Sequence, residues 1–265
     1  MNDILQQGVI CLTSKRICII RAQNLCKTYH TGNEQYHAIR NIDLDIYEGD
    51  FTVIMGNSGS GKSTLLYLLS GLDRLTAGEV YFHNQRIDAF SEREMSAFRT
   101  RRMGYIYQSI NLVHDLSIKD NIALPGYIAG FSNKEINART KQLMLDMDIH
   151  SQHNRLPSQT SGGQQQRAAI ARALINSPDI LFADEPTGSL NYDHGKAVLD
   201  ILTDINRKGQ SVVMVTHDIK AACRADRLIL IQDGKVGGIL EFDPYEEQQI
   251  PERESIVFAF VSGKE

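Results

Sequence analysis

An α/β fold built on a mainly parallel sheet is the class this sequence predicts, and three observations carry it. An apolar run (Phe51, Val53, Ile54, Met55) breaks into a glycine-rich turn and re-emerges as a helix start at Leu65, Leu66, Leu68 and Leu69. Short buried runs at 180–183 and 211–216 flank a helical stretch at 193–208, the alternation of strand–helix–strand units. Between these halves, residues 109–159 change to helix-start signals and helical apolar faces, so a helical insertion interrupts the sheet. The 265 residues, 42% hydrophobic and 23% charged, suffice for one large α/β domain or two small ones.

Taken in order, residues up to Ser14 carry no readable motif. Ile17 to Ala22 predicts a first strand, and Ile42, Leu44 and Ile46 alternate with Asp43, Asp45 and Tyr47 as in a half-buried strand. Glu48-Gly49-Asp50 turns the chain into the strand before the glycine loop. The following helix should stop near Ser70-Gly71. Glu79 to Phe82 is another strand, and the short spacing of these early strands predicts an antiparallel patch beside the main sheet. Ser91-Glu92-Arg93-Glu94 is a capping box opening a helix towards Arg102, whose Arg99, Arg101 and Arg102 read as a solvated face. Gly104 to Gln108 is a strand ending in a polar residue. Ser117 and Ser132 each open a helix, and Ser161 caps a longer one running to Ile175 before Pro178. Leu228 to Ile231, Asp233-Gly234 and Lys235 to Leu240 make a closing hairpin. The expected boundaries are an extension at 1–16, a domain at 17–241 with its helical part at about 109–165, and a tail at 242–265. That tail is acidic, then apolar from Ile256 to Val261, and discloses no role.

Bulk properties exclude several classes. A net charge of −4 does not suit a chain built to coat nucleic acid. No apolar run approaches the ~18 residues of a membrane span, and no secretory leader is legible, so the expectation is a cytosolic chain. The four cysteines (Cys11, Cys18, Cys26, Cys223) lack C-x-x-C spacing and predict neither a disulfide framework nor a metal cluster.

Three motifs carry chemistry. Gly56-Asn57-Ser58-Gly59-Ser60-Gly61-Lys62-Ser63-Thr64 has the G-x-x-x-x-G-K-[ST] form. Its glycines let backbone N–H groups curl around phosphates at a helix N-terminus, with Lys62 placed for the outer phosphates and Ser63 for Mg²⁺. Asp184-Glu185, at the end of a buried run, supplies the matching carboxylates: Asp184 to hold Mg²⁺ through water, Glu185 to polarise an attacking water. Ser161-Gly162-Gly163-Gln164-Gln165-Gln166-Arg167 opens a helix with two glycines, each a poor helix former by about 0.5–1 kcal/mol. Close backbone approach to a ligand accounts for the pair and makes a second anion site.

With these residues on the page, the chain resembles the ATP-binding subunit of an ABC transporter over roughly Ile20 to Leu240. The resemblance rests on the order of Gly56–Thr64, Gln108, Ser161–Gln164, Asp184-Glu185 and His217. It implies a P-loop NTPase core with a mainly parallel sheet, an antiparallel β subdomain and an inserted α-helical subdomain. It implies ATP and Mg²⁺ as cofactors, the latter held by Ser63, Asp184 and Gln108. Tyr29 matches the aromatic that stacks on adenine, Gln108 the contact to metal or lytic water, and His217 the contact to the γ-phosphate. Ser161, Gly162, Gly163 and Gln164 would bind the γ-phosphate held by a second copy, in a head-to-tail dimer with two ATP. A permease on a separate chain would hold the subunit at the inner face of the cell membrane.

Two positions depart from the family pattern. Thr160 replaces the usual Leu before Ser-Gly-Gly and should alter only local packing. Asn191 replaces the usual Asp and should remove a charge from the dimer interface. Gly104-Tyr105-Ile106-Tyr107-Gln108 and Asp184-Glu185-Pro186-Thr187-Gly188 are similar to the group serving lipoprotein release, macrolide export and antimicrobial-peptide resistance. The other reading weighed, a soluble ABC-type ATPase acting on nucleic acid or ribosomes, would bring a long coiled coil or a second cassette. A kinase or GTPase gives no reason for Ser161-Gly162-Gly163.

Overall fold

A computed structural model describes residues 16–32 and 34–263. The expected N-terminal extension, with Cys11, lies outside the described residues except for Arg16, which pairs with Glu241 at 3.2 Å.

The early strands form the antiparallel patch. β1 (Cys18–Thr31) pairs with β2 (Glu34–Tyr47) and with β4 (Ala77–Phe82), and β5 (Gln85–Arg86) closes a four-stranded sheet of order β2-β1-β4-β5. Both long strands run well past the apolar segments that announced them. Asn24 and Asn41 sit at φ 49° and 50°, beside register shifts where the in–out alternation is lost while pairing continues. The polar ends of the two strands therefore belong to the sheet without carrying its period.

β3 (Phe51–Met55) lies inside the main sheet of order β10-β9-β3-β8-β7-β6. Its partners are β8 (Ser211–Val215) and β9 (Arg227–Gln232), both parallel to it. β7 (Ile180–Asp184) and β6 (Met103–Ile106) continue the parallel set, and β10 (Lys235–Glu241) returns antiparallel to β9. Alternation divides each strand between two cores: Val53, Leu181, Ala183, Val212 and Met214 enter one, Ile54, Phe182, Val213 and Val215 the other. A sheet buried on both faces reads as continuous apolar runs, which is how these strands read.

α1 (Lys62–Leu69) follows the glycine loop and stops at Gly71, whose φ of +64° suits only a residue free of Cβ crowding. α2 (Glu92–Arg102) has the expected capping box at Ser91. Its basic cluster is the solvated face expected at Arg101 and Arg102, both exposed, with Arg102 paired to Asp179 at 3.0 Å, while Arg99 is half-buried and donates to the Gly71 carbonyl and to Glu92. α3 (Ile118–Ile128) and α4 (Asn133–Asp146) start at Ser117 and Ser132 and form the insertion, packed on α5 (Gly162–Leu174). α6 (Tyr192–Arg207), the short α7 (Ile219–Ala222) and α8 (Ile250–Ser262) complete the chain. The tail is thus a helix, held by Arg253. Its guanidinium is buried and donates to the carbonyls of Cys223, Ala225, Asp243 and Pro244, with Phe242 and Tyr245 against it.

Candidate active site

In a parallel sheet the loops at the C-terminal strand ends share one edge, and Gly56–Thr64, Gln108, Asp184-Glu185 and His217 lie there, whereas Ser161–Gln164 opens α5 elsewhere. The loop between β3 and α1 turns through Gly56 (φ +153°) and Gly61 (φ +105°); a Cβ on Gly61 would stand 2.5 Å from the Ala38 carbonyl oxygen. Lys62, only 9% exposed, donates to the Asn57 carbonyl at 2.9 Å. Burial pulls its pKa down, against the pull of the Glu185 and Asp184 carboxylates. Tyr36 donates to the Gly59 carbonyl at 2.8 Å, a contact the sequence did not announce.

Asp184 ends β7 and is 5% exposed. Ser63 Oγ donates to its Oδ1 at 3.0 Å and Tyr67 OH to its Oδ2 at 2.8 Å. Burial and this carboxylate push the Tyr67 hydroxyl up to about 12. Ser63 and Asp184 are hard oxygen donors at one place, the donor chemistry Mg²⁺ takes. Among the described residues no group of three or more His, Cys, Asp and Glu forms a self-contained metal cage.

Glu185 follows in the left-handed region at φ +47°, its N–H donating to the Val215 carbonyl at 3.0 Å. The turn aims its carboxylate at His217: Oε1 and Nδ1 are 2.9 Å apart. Glu185 is the sheltered partner, with 13% of its side chain exposed against 73% for His217. A Cβ on Gly188 would lie 3.5 Å from Gln108 Nε2, so Gln108 sits against the turn that follows Glu185. Among the described residues no hydrogen bond joins Gln108 to Ser63 or Asp184. Glu185, Gly188 and His217 line an open cleft of about 940 Å³ whose far wall is α8, through Pro251, Ser255 and Phe258. No motif in the tail announces that wall.

Tyr29 lies on β1 with its hydroxyl on Asp73 Oδ2 at 2.7 Å and the Lys27 ammonium 4.7 Å from its ring centroid. One ring face is therefore covered by a cation. Ser161 caps α5 and completes a capping box with Gln164, whose Oε1 accepts from Ser161 N at 3.0 Å. Gly163 has a second reason, since a Cβ there would lie 3.1 Å from the His194 ring; at Gly162 a Cβ would meet Leu190 only at an ordinary 3.5 Å. Thr160 does more than repack, donating to the Pro157 carbonyl at 2.8 Å. Asn191 caps α6 by accepting from His194 N at 3.0 Å. Arg172, on α5, clamps the carbonyls of Ile110 and Asn111 at 2.9 and 2.6 Å; it too was missed. Among the described residues no hydrogen bond joins Gly56–Thr64 to Ser161–Gln164.

The family profile described as ABC transporter matches residues 39–188. The chain is 42% identical to the uncharacterized ABC transporter ATP-binding protein MJ1508 of Methanocaldococcus jannaschii, over 84% of this chain and 99% of that one. It is 42% identical to the lipoprotein-releasing system ATP-binding protein LolD of Wigglesworthia glossinidia brevipalpis, over 82% of this chain and 96% of that one. It is 39% identical to the macrolide export ATP-binding/permease protein MacB of Psychrobacter cryohalolentis, and the match spans only 33% of that longer protein. Among solved structures, the dimeric cassette MJ0796 superposes with a TM-score of 0.79 at 38% identity, over 86% of this chain and all of that one. A second structure of that cassette, bound to ADP and Pi in a post-hydrolysis state, gives the same TM-score at 37% identity.

Proposed function

The chain belongs to the ABC transporter family, and from that premise we propose that it is the ATP-hydrolysing subunit of a membrane transporter. The observation that carries this reading is the Ser63–Asp184 contact at 3.0 Å, which joins the phosphate loop to the carboxylate pair across the strand edge.

In the proposed mechanism the curled N–H groups of Gly56–Thr64 bind the β- and γ-phosphates, and Lys62 adds its charge. Ser63 and Asp184 would hold Mg²⁺, which when bound neutralises charge on the phosphate oxygens. Glu185 accepts a proton from the attacking water through its carboxylate. His217 orients that carboxylate and reaches towards the γ-phosphate. Gln108, beside Gly188, reports the state of this turn to the helical insertion. Tyr29 offers its other ring face to adenine. Ser161, Gly162, Gly163 and Gln164 bind the γ-phosphate on a second copy, and two ATP close the pair head to tail. The dimeric structure of the MJ0796 cassette supports a dimer as such.

No helix among the described residues is long and apolar enough to cross a membrane. The ATP-binding protein LolD, matched over 96% of its length, favours a permease on a separate chain, with this subunit peripheral on the inner face of the membrane. The LolD and MacB relatives favour export or extraction of lipoproteins, peptides or antimicrobial compounds. Lys62→Ala tests the core of this reading: ATP binding by equilibrium dialysis and phosphate release should both be lost. Wild-type turnover in that variant would overturn it.

A further inference from the structure

Tyr67 follows Ser63 by one turn of α1, so the two hydroxyls leave the helix on the same side. They reach Asp184 from there and divide its oxygens, Ser63 on Oδ1 at 3.0 Å and Tyr67 on Oδ2 at 2.8 Å. Tyr105 packs behind, its ring centroid 6.3 Å from that of Tyr67. The Tyr105 hydroxyl is buried and has no hydrogen-bond partner among the described residues, so only Tyr67 of this pair is engaged with the carboxylate.

We propose that Tyr67 is a positioning residue for the divalent cation: by donating to Oδ2 it fixes the plane of the Asp184 carboxylate and keeps Oδ1 presented on the Ser63 side. This rests on the reading of Ser63 and Asp184 as the Mg²⁺ ligands. A carboxylate held by one oxygen alone turns readily about its last bond. Mg²⁺ demands near-ideal octahedral geometry, so a turning ligand weakens it more than it would a tolerant ion. A phenol suits the task because it donates without adding positive charge beside the cation. Outer groups that orient metal ligands in this way commonly change affinity by about tenfold or more when removed.

The test titrates MgCl₂ against equilibrium binding of a fluorescent ATP analogue, with a parallel nucleotide titration in EDTA. Four proteins are compared: wild type, Tyr67→Phe, Tyr105→Phe and Asp184→Asn. Phenylalanine keeps the ring and its packing, so the fold is not at stake. Tyr67→Phe should raise the half-saturating Mg²⁺ concentration by about tenfold and leave binding in EDTA unchanged. Tyr105→Phe should match wild type in both. A Tyr67→Phe curve that superposes on wild type overturns the proposal, and so does an equal shift in Tyr105→Phe, which would mark a packing effect. Asp184→Asn separates the two levels. If it loses the Mg²⁺ response while Tyr67→Phe keeps it, this inference falls and the metal reading stands. If Asp184→Asn responds as wild type does, the metal reading falls, and this inference with it.

Discussion

Glu185 is the residue where local preference yields to the site. A left-handed backbone costs a non-glycine residue of order 1 kcal/mol or more, and such strain gathers where a side chain must be aimed. Here the turn holds Oε1 2.9 Å from His217 Nδ1. Asn191, six residues on, looked like a lost interface charge. In the structure it caps α6 through His194 N, work that Asn and Asp do about equally well. Asn191→Asp should therefore leave stability within about 0.5 kcal/mol in urea unfolding, while Asn191→Ala loses about 1 kcal/mol. An alanine variant as stable as wild type would show that the cap contributes nothing. At this scale the sequence was legible wherever chemistry is tied to spacing, as in Gly61, Lys62 and Ser63. It was not legible for Tyr67 or Arg172. These are common residue types whose partners lie 117 and 62 residues away, and only the fold brings them together.

Among the elements, those announced by caps or by a clean period were found where expected: α2, α3, α4 and α5 start at Ser91, Ser117, Ser132 and Ser161. β1 and β2 were read short because bulges near Asn24 and Asn41 erase the alternation without ending the ladder. α8 was unreadable because its anchor is Arg253, whose acceptors are backbone carbonyls and so leave no trace in side-chain pattern. That anchor joins the tail to the residues just after α7, and α7 follows His217 closely, so α8 becomes a wall of the cleft beside Glu185 and His217. Arg253→Met removes the donor and leaves buried carbonyls unpaired, at a cost of about 2–4 kcal/mol. Hydrogen exchange should accelerate across 246–262 ahead of the sheet strands, with a lower melting temperature. Unchanged protection in α8 would show that the guanidinium is not what holds it. α5 carries a second device of this kind. Its Arg172 grips Ile110 and Asn111, both left-handed (φ 61° and 52°), so the signature helix and the segment after Gln108 are mechanically joined.

At the scale of the whole molecule, the two proposed anion sites are not joined by any hydrogen bond among the described residues. Gly56–Thr64 gathers Asp184, and through β7 Glu185 and His217. Ser161–Gln164 lies instead beside the His194 ring of α6. With its capping box satisfied within α5, Ser161–Gln164 is proposed to meet a phosphate only when another copy brings the two together. On that reading ATP, and not packing of the free subunits, closes the dimer. The direct measurement is the mass of Glu185→Gln by size-exclusion chromatography with light scattering, with and without ATP and MgCl₂. Blocked hydrolysis should give twice the subunit mass with ATP and the single-subunit mass without it. A single-subunit mass in saturating ATP, with binding shown intact by dialysis, would contradict the account.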